Sequence, residues 1–142
     1  YTITGTKKIG TDVTAQPVYV LNASDTTDVA GSHTYQNLVW DSYAVSIDGV
    51  ATGYDIQETS LPLPLVLNPA VNATLTIKLA AHTPTSLHVT VLSSTQLPIE
   101  NASVHVVKTG YDTTKQTGAY GQAFFPGMPQ DATYTVTVQA SS

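Results

Sequence analysis

Apolar and polar residues alternate along this chain in short runs. Leu87, Val89 and Val91 are separated by His88 and Thr90, Val104 and Val106 flank His105, and Tyr134, Val136 and Val138 are separated by Thr135 and Thr137. Leu75, Ile77 and Leu79 alternate with Thr76 and Lys78, and Tyr43, Val45 and Ile47 form a further run. A two-residue period sends alternate side chains to opposite faces, so each run predicts a strand with one buried face. The runs are bounded by Gly, Pro, Asn or Asp, the residues of tight turns. No window carries the 3.6-residue period of a helix. Pro62 and Pro64 remove ladder donors from Ser60–Leu67, which is expected to pair on one edge only or to lie irregularly against the core.

An internal repeat organises these strands. Gly31-Ser-His-Thr-Tyr35-Gln-Asn37-Leu38 aligns without gaps on Gly121-Gln-Ala-Phe-Phe125-Pro-Gly127-Met128. After a one-residue adjustment, Asp41-Ser-Tyr43-Ala-Val45-Ser-Ile47 aligns on Ala132-Thr-Tyr134-Thr-Val136-Thr-Val138. Each copy reads as a glycine turn, a strand, a tight turn carrying a buried Leu or Met, and a strand opening on Tyr. Tyr43 and Tyr134 are expected in the core, with their hydroxyls reaching backbone groups. Two modules are therefore predicted, residues 1–82 and 83–142, with His82-Thr-Pro84-Thr as a short linker.

Composition agrees with sheet. Threonine and valine dominate, with two glutamates, five lysines and no arginine, and Thr, Val and Tyr suit pleated, half-buried surfaces. Charged residues make up 11% of the chain, against about 25% in ordinary soluble domains. Few charges and many hydroxyls accompany extracellular fibres and adhesins, so an extracellular or cell-surface location is expected. A net charge of −5 and scattered lysines give no basic patch for nucleic acid. The absence of cysteine excludes disulfides, zinc knuckles and thiol catalysis. The longest apolar stretch, Leu61–Leu67, is far short of a membrane span. The chain opens at Tyr1 rather than Met, as a processed or trimmed chain would.

Three segments carry a family resemblance: Leu97-Pro-Ile-Glu-Asn-Ala-Ser-Val104, Tyr120-Gly-Gln-Ala-Phe-Phe-Pro-Gly-Met128 and Ala132-Thr-Tyr-Thr-Val-Thr-Val138. Together they resemble a carboxypeptidase regulatory-like domain, a group related to the transthyretin-like and collagen-adhesin B-type domains of bacterial surface proteins. The first half resembles the later part of the same pattern through Asn37–Val45, Gly53-Tyr54 and Leu63–Pro69. The resemblance implies an all-β fold of two tandem Greek-key sandwiches, used as spacer, stalk, adhesin or pilin modules.

On this alignment neither module is complete. Tyr1-Thr-Ile-Thr-Gly5 corresponds to the segment Val104–Gly110, so the first module lacks an opening strand like Leu87–Leu92. The second stops after its Tyr134 strand and lacks the closing strands that the first has beyond Gly53. The offset fits a window on a longer protein, or strands supplied by a neighbouring subunit, which would give a heterologous, fibre-forming contact. It also fits a second module that closes with fewer strands, or a Tyr1–Ile9 segment paired differently.

No arrangement predicts catalysis or a cofactor. His33, His82, His88 and His105 have no nucleophile motif around them. His88 and His105 would share a metal if their strands were neighbours, but no third ligand is evident. Asp25, Asp28, Asp41, Asp48 and Asp55 lack EF-hand spacing. The Lys–Asn crosslink of collagen-adhesin B-type relatives would need an Asn in Tyr134–Ala140, and there is none; Glu58, Glu100, Lys7, Lys8, Lys78 and Lys108 form no triad by spacing. Asn22, Asn72 and Asn101 head Asn-Ala-Ser/Thr acceptor triplets for N-glycosylation. Trp40 could serve a sugar platform, but a structural place at the end of a sandwich is the simpler reading. The expectation is a non-enzymatic extracellular structural subunit of a filament or pilus-like appendage, self-associating head to tail. The alternative is an adhesin or carbohydrate-binding stalk module.

Overall fold

The computed structural model describes residues 1–130 and 133–140; Ala132, aligned above with Asp41, lies outside them. The fold is all-β, with antiparallel strand pairs throughout the described residues and one short helix, α1 (Gly49–Thr52). The chain divides into two compact units, but not at the expected boundary between 82 and 83. Unit 1 is Tyr1–Asp48 with Leu61–Leu75, and unit 2 is Gly49–Ser60 with the chain from Thr76 onward.

Unit 1 is built on a four-stranded sheet in the order β4 (Asn22–Ser24), β1 (Thr2–Gly5), β5 (Asp41–Ser46), β7 (Leu65–Leu67). A separate ribbon pairs β2 (Lys8–Thr11) with β3 (Pro17–Tyr19). As the prolines predict, β7 pairs on one side only, with β5. The core is small: Ile3 and Tyr43 are its buried apolar residues.

Asp41 organises this sheet. It opens β5, and its buried carboxylate accepts hydrogen bonds from the Thr6 amide (2.9 Å), the Lys7 amide (3.0 Å), the Ser42 amide (2.8 Å) and the Thr6 hydroxyl. The turn after β1 is thereby wrapped around one side chain of β5. Gly5 has no side chain because a Cβ there would lie 2.6 Å from Asp41 Oδ2.

Unit 2 contains three pieces. One sheet has the order β11 (Tyr111–Gln116), β10 (Ser103–Lys108), β13 (Thr135–Gln139). A second pairs β12 (Gln122–Pro126) with β9 (Ser86–Thr90), and a ribbon pairs β6 (Tyr54–Thr59) with β8 (Ile77–Ala81). Alternation is obeyed in β10, where Val104 and Val106 are fully buried and join Ala123, Phe125 and Met128 in one core, whereas Leu79, Val136 and Val138, expected on buried faces, are each 43% exposed. Leu87, Val89, Val91, Tyr111 and Tyr134 pack against that core.

The corrected boundary has a physical cause. The β6–β8 ribbon, expected to close the first module, belongs to unit 2, where Gln122 of β12 binds β6. The buried Gln122 carboxamide accepts from the Thr59 amide (2.8 Å) and donates to the Thr59 carbonyl (3.0 Å). One side chain thus satisfies both backbone groups of a residue 63 positions away, as a neighbouring strand would. Nor is the His82–Thr85 segment a linker. The His82 amide donates to the Gly53 carbonyl (2.8 Å), its Nδ1 lies 2.8 Å from Asp55 Oδ1, and the Thr83 amide donates to Asp55 Oδ2 (3.0 Å).

Replacing Gln122 by Leu strands the Thr59 N–H and C=O without partners. It should cost about 2–6 kcal/mol, the sum for two unsatisfied buried groups, with loss of hydrogen-exchange protection in β6. Urea unfolding and exchange mass spectrometry check this; unchanged protection at Thr59 would remove Gln122 from the role given to it.

Asp41 gives unit 1 an acid dependence. Burial by itself would raise its pKa, but the hydrogen bonds from Thr6, Lys7 and Ser42 hold it at about 2, below the ordinary 3.8. A carboxyl with a depressed folded-state pKa stabilises fully above the unfolded value and loses that contribution as pH falls through the folded one. Stability of unit 1 should therefore decline between about pH 4 and pH 2, and Asp41→Asn should be less stable at pH 7 with this decline flattened. Trp40, the chain's single tryptophan and a residue of unit 1, supplies the fluorescence signal.

Candidate functional site

The two sheets of the units share a pattern and differ at one edge. In unit 1 the central β1 has β4 on one side and β5 on the other; in unit 2 the central β10 has β11 and β13. The Tyr43 hydroxyl donates to the Val39 carbonyl and the Tyr134 hydroxyl to the Pro129 carbonyl, each at 2.5 Å. Val39 and Pro129 are equivalent in the sequence repeat, and the one-residue adjustment appears as a difference in span, four residues against five. Gly31 and Gly121, and Asn37 and Gly127, all adopt positive φ, so the repeated turns are built alike. The copies diverge in between: 122–126 is a strand, whereas 32–38 is irregular.

On its outer side β5 is covered by β7, with Tyr43 opposite Leu65, and Tyr43 is only 1% exposed. Among the described residues β13 has no outer neighbour. Its Val136 and Val138 lie opposite Val106 and Val104 in the ladder and face the same way. Yet both are 43% exposed, while the two β10 valines are fully buried. The core of unit 2 thus reaches β13 and stops there, uncovered. A strand edge also presents unpaired N–H and C=O groups.

Two other edges, those of β11 and β7, are guarded, whereas β4 (Asn-Ala-Ser) and β9 (Ser-Leu-His-Val-Thr) are without charge or proline. Asp112 and Lys115 lie on β11, and Pro62, Pro64 and Pro69 surround β7. The β13 sequence Thr-Val-Thr-Val-Gln has neither charge nor proline, the two devices that commonly discourage strand addition.

The residues singled out from sequence separate in space. Strands β9 and β10, expected as possible neighbours, are in different sheets, so His88 and His105 do not meet along a ladder. His88 Nε2 lies 3.1 Å from Gln122 Oε1, and His105 Nε2 lies 2.8 Å from Asp112 Oδ1. Among the described residues no three His, Cys, Asp or Glu side chains gather as a metal site. Asp28 caps its own turn through the Ala30 and Ser32 amides (2.9 Å each), Asp25 accepts from the Tyr35 hydroxyl, and Asp55 is held by His82 and Thr83. Asn22, Asn72 and Asn101 are all exposed. Trp40 is exposed, but the Lys7 ammonium sits 3.1 Å from its ring centroid and occupies one face.

Sequence reasoning missed Gln122, which in a strand reads as one polar position among others. It also missed Lys115, which shares a hollow with Glu58 and Lys78. The signal for Gln122 was a carboxamide immediately after the repeat's glycine, where the other copy has Ser32.

No family model, curated protein or solved structure matches this chain.

Proposed function

We propose that this chain is an extracellular structural subunit of a cell-surface filament or pilus-like appendage, whose copies join by adding a strand to β13. The observation that carries this reading is the bare edge of β13, with Val136 and Val138 continuing a buried core into the open. Strand addition to such an edge satisfies its backbone groups and buries the two valines at once.

The occupant is a second copy of the chain. Its β2–β3 ribbon suits the role: β2 is exposed throughout, Ile9 is 71% exposed, and Val18 and Val20 are also exposed. A two-stranded ribbon without a covering layer is marginal in water, so both partners gain from the contact. The surfaces differ, so the contact is heterologous, and a contact of that kind that does not close into a ring propagates as a fibre. The low charge and hydroxyl-rich composition support an extracellular place, and exposure of Asn22, Asn72 and Asn101 leaves the acceptor triplets accessible there.

A Val136→Lys/Val138→Lys chain should keep the circular dichroism of the parent and lose assembly, seen by electron microscopy and sedimentation velocity. Ile9→Lys, on the donor ribbon, should lose it too. Parent protein that stays monomeric at high concentration, or filaments undiminished by the double substitution, would sink the proposal.

A further inference from the structure

Residues 32–36 of unit 1 correspond to β12 in the repeat but have no partner strand. The turn that leads into each segment is the same. The Asp28 amide donates to the Ser32 carbonyl (2.9 Å) and the Gly31 amide to the Asp28 carbonyl (3.0 Å). In unit 2 the Gly118 amide donates to the Gln122 carbonyl and the Gly121 amide to the Gly118 carbonyl, each at 2.9 Å. Beyond the turn the two differ. The backbone of β12 pairs with β9, and bonds from Val91 N–H to Gly121 C=O (2.7 Å) and from Met128 N–H to Thr85 C=O (3.0 Å) extend the pairing at both ends. Among the described residues the backbone of 33–38 makes no hydrogen bond to another backbone group.

The side chains are already placed as a ladder needs them. Alternate residues of a strand face one way, and in β12 Ala123 and Phe125 meet Val89 and Leu87 of β9 at the core. Their equivalents are His33 and Tyr35, whose rings stack with centroids 4.5 Å apart and planes 10° from parallel. The Tyr35 hydroxyl is tied to Asp25 and to the Tyr1 hydroxyl, which fixes the pair, while His33, Thr34 and Gln36 stay exposed. The backbone direction follows from unit 2 as well. The Gln122 and Phe124 carbonyls turn away from β9, toward the Gly118 amide and the Lys115 ammonium. The bonds toward β9 therefore come from Ala123 and Phe125, and in unit 1 the matching groups belong to His33 and Tyr35.

Unit 2 shows what the occupant looks like. We infer that 32–36 accepts, by antiparallel pairing, an extended segment of a partner protein with the β9 pattern of alternating polar and apolar residues. In the register of β12 with β9, its apolar residues lie opposite His33 and Tyr35, and its polar ones opposite Ser32, Thr34 and Gln36. The main chain supplies affinity in such a contact, and the alternate side chains supply specificity. Within the chain the segments of this pattern, β9 and β13, are already held by β12 and β10. The site is distinct from the bare edge of β13, since here the receiving segment itself becomes a strand when it is paired.

The test is a titration of the full chain with the synthetic peptide Thr-Ser-Leu-His-Val-Thr-Val-Leu, the sequence of Thr85–Leu92, followed by amide hydrogen exchange read by NMR. Saturable protection of His33 and Tyr35 is expected, with β12 and β13 unchanged. A peptide of the same composition with its apolar residues consecutive should bind at least about tenfold more weakly, because alternation sets which residues face inward. His33→Pro removes one N–H aimed at the peptide and should weaken binding about fivefold, the effect of one hydrogen bond. Thr34→Pro, whose N–H points away, should bind as the parent does. If His33→Pro does not fold, His33→Asp carries the test, since it leaves the backbone alone and sets a charge opposite an apolar residue. No saturable protection in the folded parent, equal binding of the reordered peptide, or equal loss in both proline variants would overturn the inference. So would protection of 33–36 in assemblies of the chain alone, which would make a second copy the occupant.

Discussion

The Gln122 carboxamide does for β6 what an adjacent strand does elsewhere, and much of unit 2 depends on it. Among the described residues strands β12 and β9 pair only with each other in the ladder, and β6 pairs only with β8. The bonds from Gln122 to the Thr59 N–H and C=O join these two ribbons without a ladder between them. Both faces of β12 are buried as a result, Phe125 toward the valine core and Gln122 with Phe124 on the other side. The polar group is affordable there because its partners are backbone groups that would otherwise be stranded. Fixing Thr59 also fixes its neighbour Glu58, whose shielded Oε1 leaves no room for a Cβ on Gly118.

Placing β6 and β8 in unit 2 leaves unit 1 with few apolar side chains to bury. Ile3 and Tyr43 cannot carry a sheet of that size alone, and a side-chain clamp takes part of the load. The Asp41 carboxylate gathers two amides and a hydroxyl from the turn after β1 and the amide beside it. Hydrogen bonds to a charged acceptor are stronger than neutral ones, and this cluster works best where the carboxylate stays ionised. Unit 1 is thus held by polar geometry where unit 2 is held by packing.

The local character of the chain was legible in its sequence, and the long-range partners were not. Alternation placed Val104, Val106, Leu87 and Val89 facing inward because the pleat period is a property of the backbone. The repeat located the Tyr43 and Tyr134 hydroxyl bonds because each is closed within five residues. Alternation says nothing about which sheet a strand joins, so Gly53-Tyr54 and Leu75–Leu79 read as the close of the module 1–82 rather than as part of the unit they pack with. The pairing of Glu58 with Lys78 escaped for a related reason: a bulge at Gln57 shifts the register by one, and no composition rule marks it.

The exposure of β13 is difficult to regard as a by-product of a low-charge composition. The same chain puts Asp112 and Lys115 on the edge strand β11 and surrounds β7 with prolines, so it has the means to blunt an edge and uses them. In the sheet of unit 1 the strand equivalent to β13 is covered, and its tyrosine is buried by that cover. In unit 2 the matching position is empty among the described residues, while the side chains that a cover would bury are already apolar and already aligned with the core. Valine at both core-facing positions of an uncovered strand has little to recommend it in an isolated sheet, where threonine or lysine would keep the edge soluble. It is what a strand requires when its outer side is to be covered, and the free energy of covering it is then available to whatever segment pairs there.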